Sequence, residues 1–327
     1  MRKIVKFSAL ALLILSVLLV GCSPSDDGEE KKEIAMIIPI PAGDPFIAIA
    51  YSGVEQLGEE EGYNTRLIEA LDKSEYSEQI RAMAEEGANP IYVMWDDLAE
   101  EAFPIAEDFP DTKFIIVDTY ATTNLPNVKT IVVEPQQAAF IAGFVASKTT
   151  ETNRVAWIGS MKMPVIDRFR AGFEAGAKYG NPDIEIESLY LGTADDPNKG
   201  SEMALQVISK GADIVMHSAN MAGLGVIQAA AESGVLAIGV DEWQGGVAEG
   251  TVFWSALKDI AGAVYESGKS AISGNFESGI TNYDINSGVA LYDERDYNQL
   301  SAELKAEVDA LVVELQAGTI EVPTEID

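Results

Sequence analysis

Two apolar runs, Phe114–Val117 and Leu236–Val240, each lead straight into an aspartate, Asp118 and Asp241. A carboxylate at the end of a buried strand accepts hydrogen bonds from sugar hydroxyls or pairs with an amine, and so orients a ligand. It can equally cap the helix or loop that follows. Two acid pairs, Asp96-Asp97 and Asp195-Asp196, have the residue types for general acid–base catalysis. That chemistry needs two carboxyls in one site with separated pKa values, and sequence neighbours rarely share a site. Asp196 before Pro197 also has a simpler reading as a helix N-cap. His217 is the single histidine and Cys22 the single cysteine, which excludes a multi-histidine metal centre, a cysteine-based zinc site and an intrachain disulfide. There is no Gly-x-Ser-x-Gly elbow and no phosphate-binding loop. An enzyme is not expected, nor a metal or cofactor.

The 327 residues carry 22 Lys+Arg against 53 Asp+Glu, a formal net charge of −31. Phosphates need a basic face, so no nucleic-acid partner is expected. A hydrophobic content of 47% is too high for a disordered acidic chain. The length predicts two lobes.

Arg2, Lys3 and Lys6 precede an uncharged run, Phe7–Val20, and Leu19-Val20-Gly21 brings small residues up to Cys22. This is the pattern of an export signal, and the run is shorter than the ~20 apolar residues of a membrane-spanning helix. Leu-Val-Gly-Cys resembles the bacterial lipobox, which implies cleavage after residue 21 and lipid on the Cys22 sulfur. The polar stretch 22–32 then reads as an acidic tether.

Ile34–Ile40, Ile91–Met94, Phe114–Val117, Val155–Ile158, Ile214–Met216 and Leu236–Val240 read as short buried parallel strands. Between them the spacing predicts helices. The clearest is Pro164–Tyr179, with Val165, Ile166, Phe169, Phe173 and Ala177 on one face and Gly180 as its C-terminal cap. Alternation of this kind predicts α/β lobes with parallel sheets. Ala138–Thr152 reads as the first crossing between them.

In open α/β sheets the ligand crevice lies beyond the carboxyl ends of the strands. That rule nominates Pro41–Phe46, Trp95–Asp97, Asp118–Tyr120, Ser160–Met161, His217–Met221 with Asn220 among them, and Asp241–Trp243.

The segments WIGSMKMPVIDRFRAGFEAGAKYGNPD (157–183), LGTADDPNKGSEMALQVISKGADIV (191–215), AGLGVIQAA (222–230) and AIGVDEWQ (237–244) resemble the basic membrane protein family of substrate-binding lipoproteins. The best-known type in that family is the purine nucleoside receptor of an ABC importer. The resemblance implies a type I periplasmic-binding-protein fold, two Rossmann-like lobes joined by three hinge strands. Lobe 1 would comprise 33–147 plus 255–282, and lobe 2 would comprise 152–254 plus 283–327. It also implies a base stacked on aromatic rings and a ribose held by carboxylates and a lysine. Phe46 matches the stacking ring of the first loop, and Asp44 lies close to that loop's acid. Asp118 and Asp241 match strand-end acids, and Lys258 in SALKD matches the lysine after the third hinge strand.

The chain departs from relatives at Ile47, where they often have Asn, and at Ala194, where they often carry an aromatic. Ser218-Ala219-Asn220-Met221 replaces a Gly-rich loop. Trp243, Trp95 or Met221 is then expected to supply the second apolar wall, with Trp243 favoured. The expected protein is a monomeric, lipid-anchored, extracytoplasmic receptor that binds a nucleoside and docks on an ABC permease and ATPase. The alternatives are another small polar ligand, such as a sugar or nucleobase, or a regulatory lipoprotein.

Overall fold

The computed structural model describes residues 32–326. The expected export signal, Cys22 and nearly all of the expected tether lie outside them. In chain order the strands are β1 (Glu33–Ile38), β2 (Asn64–Glu69), β3 (Ile91–Met94), β4 (Phe114–Val117), β5 (Val128–Val133), β6 (Arg154–Gly159), β7 (Glu185–Tyr190), β8 (Ile214–Ser218), β9 (Leu236–Asp241), β10 (Val252–Leu257) and β11 (Gly279–Tyr283). They form two sheets, ordered β11-β5-β4-β3-β1-β2 and β10-β9-β8-β6-β7, with parallel pairing throughout.

The inner strands are apolar at consecutive positions because each sheet is covered on both faces. In β1, Ala35 and Ile37 pack into one core while Ile34, Met36 and Ile38 pack into another. In β6, Val155 and Trp157 divide from Ala156 and Ile158 in the same way. The strands that sequence reading did not single out lie where that signal fades. The edge strand β2 alternates between exposed and half-buried residues. In β5, Lys129 and Thr130 interrupt the apolar run, although both are buried.

The helices are α1 (Pro45–Glu61), α2 (Tyr76–Glu85), α3 (Trp95–Asp108), α4 (Pro135–Thr149), α5 (Pro164–Gly180), α6 (Pro197–Ser209), α7 (Asn220–Ser233), α8 (Ile260–Ile272), α9 (Glu294–Gln299) and α10 (Ala302–Gln316). Asp196 caps α6 by accepting from the Asn198 and Lys199 amides. Gly180, expected as the C-terminal cap, is instead the last residue of α5, which ends in extended backbone at Asn181. Its lack of a side chain serves packing: a Cβ there would stand 2.0 Å from Ser147 Oγ.

The chain passes between the sheets three times: from β5 through α4 to β6, from β10 into α8, and after β11. The lobe boundaries differ from expectation. Residues 135–147, assigned to the first lobe, form α4, whose apolar residues join the core of the second sheet. The approach of α4 to α5 is close enough that a Cβ on Gly143 would meet Phe173 O at 2.1 Å. Ser255–Leu257 belong to β10 in the second sheet, and Tyr283 to β11 in the first. The exchange occurs within the strands and at their ends, where no Gly/Pro-rich linker marks it. Among the described residues, no helix is long and apolar enough to cross a membrane.

Candidate functional site

Among the described residues, five non-glycine residues have positive φ: Trp95 (65°), Asp118 (61°), Asn153 (59°), Asn220 (48°) and Asp241 (69°). Left-handed backbone costs an L-residue about 1–2 kcal/mol. Asn153 precedes β6; the other four stand at or just beyond the carboxyl ends of β3, β4, β8 and β9. All four line one cavity, with about 630 Å³ of empty space, part of it open to solvent. Strained backbone gathered at one cleft is the signature of side chains aimed for a purpose.

Asp118 and Lys258 form the polar centre. Lys258 Nζ donates to Asp118 Oδ1 at 2.5 Å, and the two side chains are 2% and 4% exposed. Trp95 Nε1 donates to the other carboxylate oxygen at 3.3 Å. The ammonium also lies 4.8 Å from the Phe46 ring centre and 5.9 Å from that of Phe169. The Phe46 and Trp95 rings are stacked nearly parallel, their planes 12° apart and their centroids 6.2 Å apart. Asp241 follows on the neighbouring strand β9. Burial raises its pKa to about 7; Lys258 pulls it back, while Asp118, Asp44 and Glu242 push it further up. Asp44 caps α1, accepting from the Phe46 and Ile47 amides, and also accepts from Asn220 Nδ2 at 3.2 Å across the cleft.

Of the predicted site residues, Phe46, Trp95, Asp118, Asn220, Asp241 and Lys258 line the cavity, and Asp44 flanks it through Asn220. Trp243 does not. It turns behind Asp241 into an adjoining hollow, donates to Asp296 Oδ1 at 2.9 Å and carries the Arg295 guanidinium 3.7 Å over its ring. Of the three apolar walls expected, Trp95 is the one present; Met221 is also absent from the lining. The acid pairs separate: Asp96 bonds Thr119, Asp97 pairs with Lys73, and Asp196 caps a helix. His217 is buried against Gln244 Oε1 at 2.8 Å, and burial lowers its pKa to about 4, so it is a neutral structural residue. Sequence reading missed Phe169, Met163, Val165 and Ile166, because the stripe that packs α5 onto its sheet opens onto the cavity at its N-terminal end. Ser218 lay within the nominated stretch His217–Met221 but was not singled out there, and it lines the cavity at the end of β8. Among the described residues, no cluster of side chains is arranged to hold a metal ion.

The family described as "ABC transporter substrate-binding protein PnrA-like" matches residues 31–325. The chain belongs to this family. Basic membrane protein A of Borreliella burgdorferi is 31% identical over 323 residues, covering 96% of this chain and 95% of its own. Among solved structures, an ABC transporter solute-binding protein from Aeropyrum pernix superposes with a TM-score of 0.82 at 21% identity, covering 90% of this chain and 94% of that one. A transcriptional activator of the comK gene from Bacillus halodurans gives 0.77 at 21% identity, covering 89% and 99%. The fold is that of the type I periplasmic-binding proteins, two parallel-sheet lobes about a cleft, and the family is one of solute binders.

Proposed function

We propose that this PnrA-like chain is the monomeric receptor of an ABC importer, held to the extracytoplasmic face of the membrane by lipid on Cys22, and that it closes on a nucleoside, a purine nucleoside first of all. The observation that carries the ligand is the division of labour in the cleft. Phe46 and Trp95 offer ring faces, while Asp118, Lys258 and Asp241 offer an acceptor–donor–acceptor set beside them. Rings suit a base, and buried carboxylates beside an ammonium suit vicinal hydroxyls. The pairs Asp118–Lys258 and Asp44–Asn220 tie the two sheets together, so ligand and closure reinforce each other.

Thermal melting with inosine, guanosine and adenosine tests the ligand. At least one should raise the melting temperature in a saturable way; flat curves with all three would overturn the nucleoside reading. Palmitate labelling of the wild type and its loss in Cys22→Ser tests the anchor.

A further inference from the structure

The carboxyl ends of the second sheet present a row of polar side chains in strand order. Lys258 follows β10, Asp241 ends β9, Ser218 ends β8 and Ser160 follows β6. All four line the cavity. Adjacent strands are about 4.8 Å apart, so Ser218 lies about one strand and Ser160 about two strands beyond Asp241. The two serines are joined through the backbone, Ser160 N donating to Ser218 O at 3.0 Å.

Ser218 is 2% exposed, and its Oγ has no hydrogen-bond partner among the described residues. Buried hydroxyls are ordinarily satisfied, because an unpaired one costs stability. A hydroxyl kept in a ligand cleft without a partner of its own is one whose partner arrives with the ligand.

We propose that Ser218, supported by Ser160, reads the polar edge of the base. This rests on the nucleoside reading: if Asp241 and Lys258 hold the sugar, the base extends along the strand ends over the two serines. A hydroxyl both donates and accepts, so it serves a 6-oxo and a 6-amino purine alike. The ligand class is therefore purine nucleosides with a polar edge, with little discrimination between inosine or guanosine and adenosine. Asn220 Nδ2 is engaged by Asp44 and does not replace the serine.

The test is calorimetric titration of wild type, Ser218→Ala and Ser160→Ala with inosine, guanosine, adenosine, purine riboside and 7-deazaadenosine. The last two each lack one polar group of that edge. Ser218→Ala should weaken the three natural nucleosides about three- to tenfold, with a smaller loss for at least one analogue. Its ligand-free melting temperature should hold or rise, since an unsatisfied group is removed; a structural hydroxyl would lower it. Ser160→Ala should give a weaker version of the same pattern. Unchanged affinities in Ser218→Ala, or equal loss for all five ligands, would overturn the assignment while leaving the nucleoside reading intact. No binding of any nucleoside by the wild type would bring down both.

Discussion

Lys258 and Asp118 lie 140 residues apart in the chain and meet at 2.5 Å in the cleft. One follows a strand of the second sheet and the other ends a strand of the first, so this buried ion pair ties the two sheets directly. Removing one partner of a buried pair leaves the other charge uncompensated, at about 3–5 kcal/mol. Lys258→Met should lower unfolding stability by that order, and Asp118→Asn in the same chain should restore most of it. Denaturant midpoints of the two single variants and the double variant measure the coupling. Additive losses would mean that the pair is not a unit.

Asp241 supplies a pH dependence. Its pKa of about 7 in the folded chain stands above its ordinary value of 3.8. The folded state therefore holds this proton more tightly than the unfolded state. The stability it contributes is complete below about pH 4 and lost as pH rises through about 7. Asp241→Asn should leave ligand-free stability near wild type at about pH 4 and raise it at about pH 8. Binding should show the opposite trend. A ligand hydroxyl donating to the carboxylate favours the charged form, so wild-type affinity should strengthen between about pH 6 and pH 8. A flat melting profile in both proteins would contradict this.

The two tryptophans nominated as walls should behave differently. Stacking contributes ~1–3 kcal/mol per base, so Phe46→Ala and Trp95→Ala should each weaken binding roughly five- to 150-fold. Trp243→Ala should leave affinity within about twofold. It should instead destabilise the fold by ~1–3 kcal/mol, because the fully buried Asp296 loses its indole donor. Affinity loss in Trp243→Ala as large as in Trp95→Ala would reverse the assignment of walls.

A third tie between the sheets, beside Asp118–Lys258 and Asp44–Asn220, stands at Arg168. Its guanidinium on α5 pairs with Glu134 at 3.0 Å and lies 4.2 Å over the Tyr120 ring, both partners belonging to the first sheet's strand ends. Arg168→Ala should let the ligand-free lobes separate, read as a larger radius of gyration in solution scattering, with weaker binding. No change in either quantity would show that the clasp does not restrain closure.

The sequence made the cleft legible where chemistry and position coincided. Asp118 and Asp241 stood out because an apolar strand running into a carboxylate is unusual, and the strand-end rule placed both at the crevice. Lys258 was legible through the family resemblance alone, and that resemblance singled Phe46 out of the nominated Pro41–Phe46 loop, since a lysine after a short strand and a phenylalanine at a helix start have ordinary uses. Trp243 was misplaced because a residue two positions past a strand end can turn either way, and the buried Asp296 drew its indole backward. Phe169 was hidden by its own periodicity, since an apolar helical stripe reads as core along its full length. The boundary at α4 was illegible for a related reason: this helix is buried nearly all round, so nothing in its pattern says which sheet it covers.

The most direct measurement is mass spectrometry of the small molecules released on denaturing protein purified without refolding. A purine nucleoside should be released in proportion to the protein. Release of a sugar or another solute lacking a purine base, in that same proportion, would contradict it.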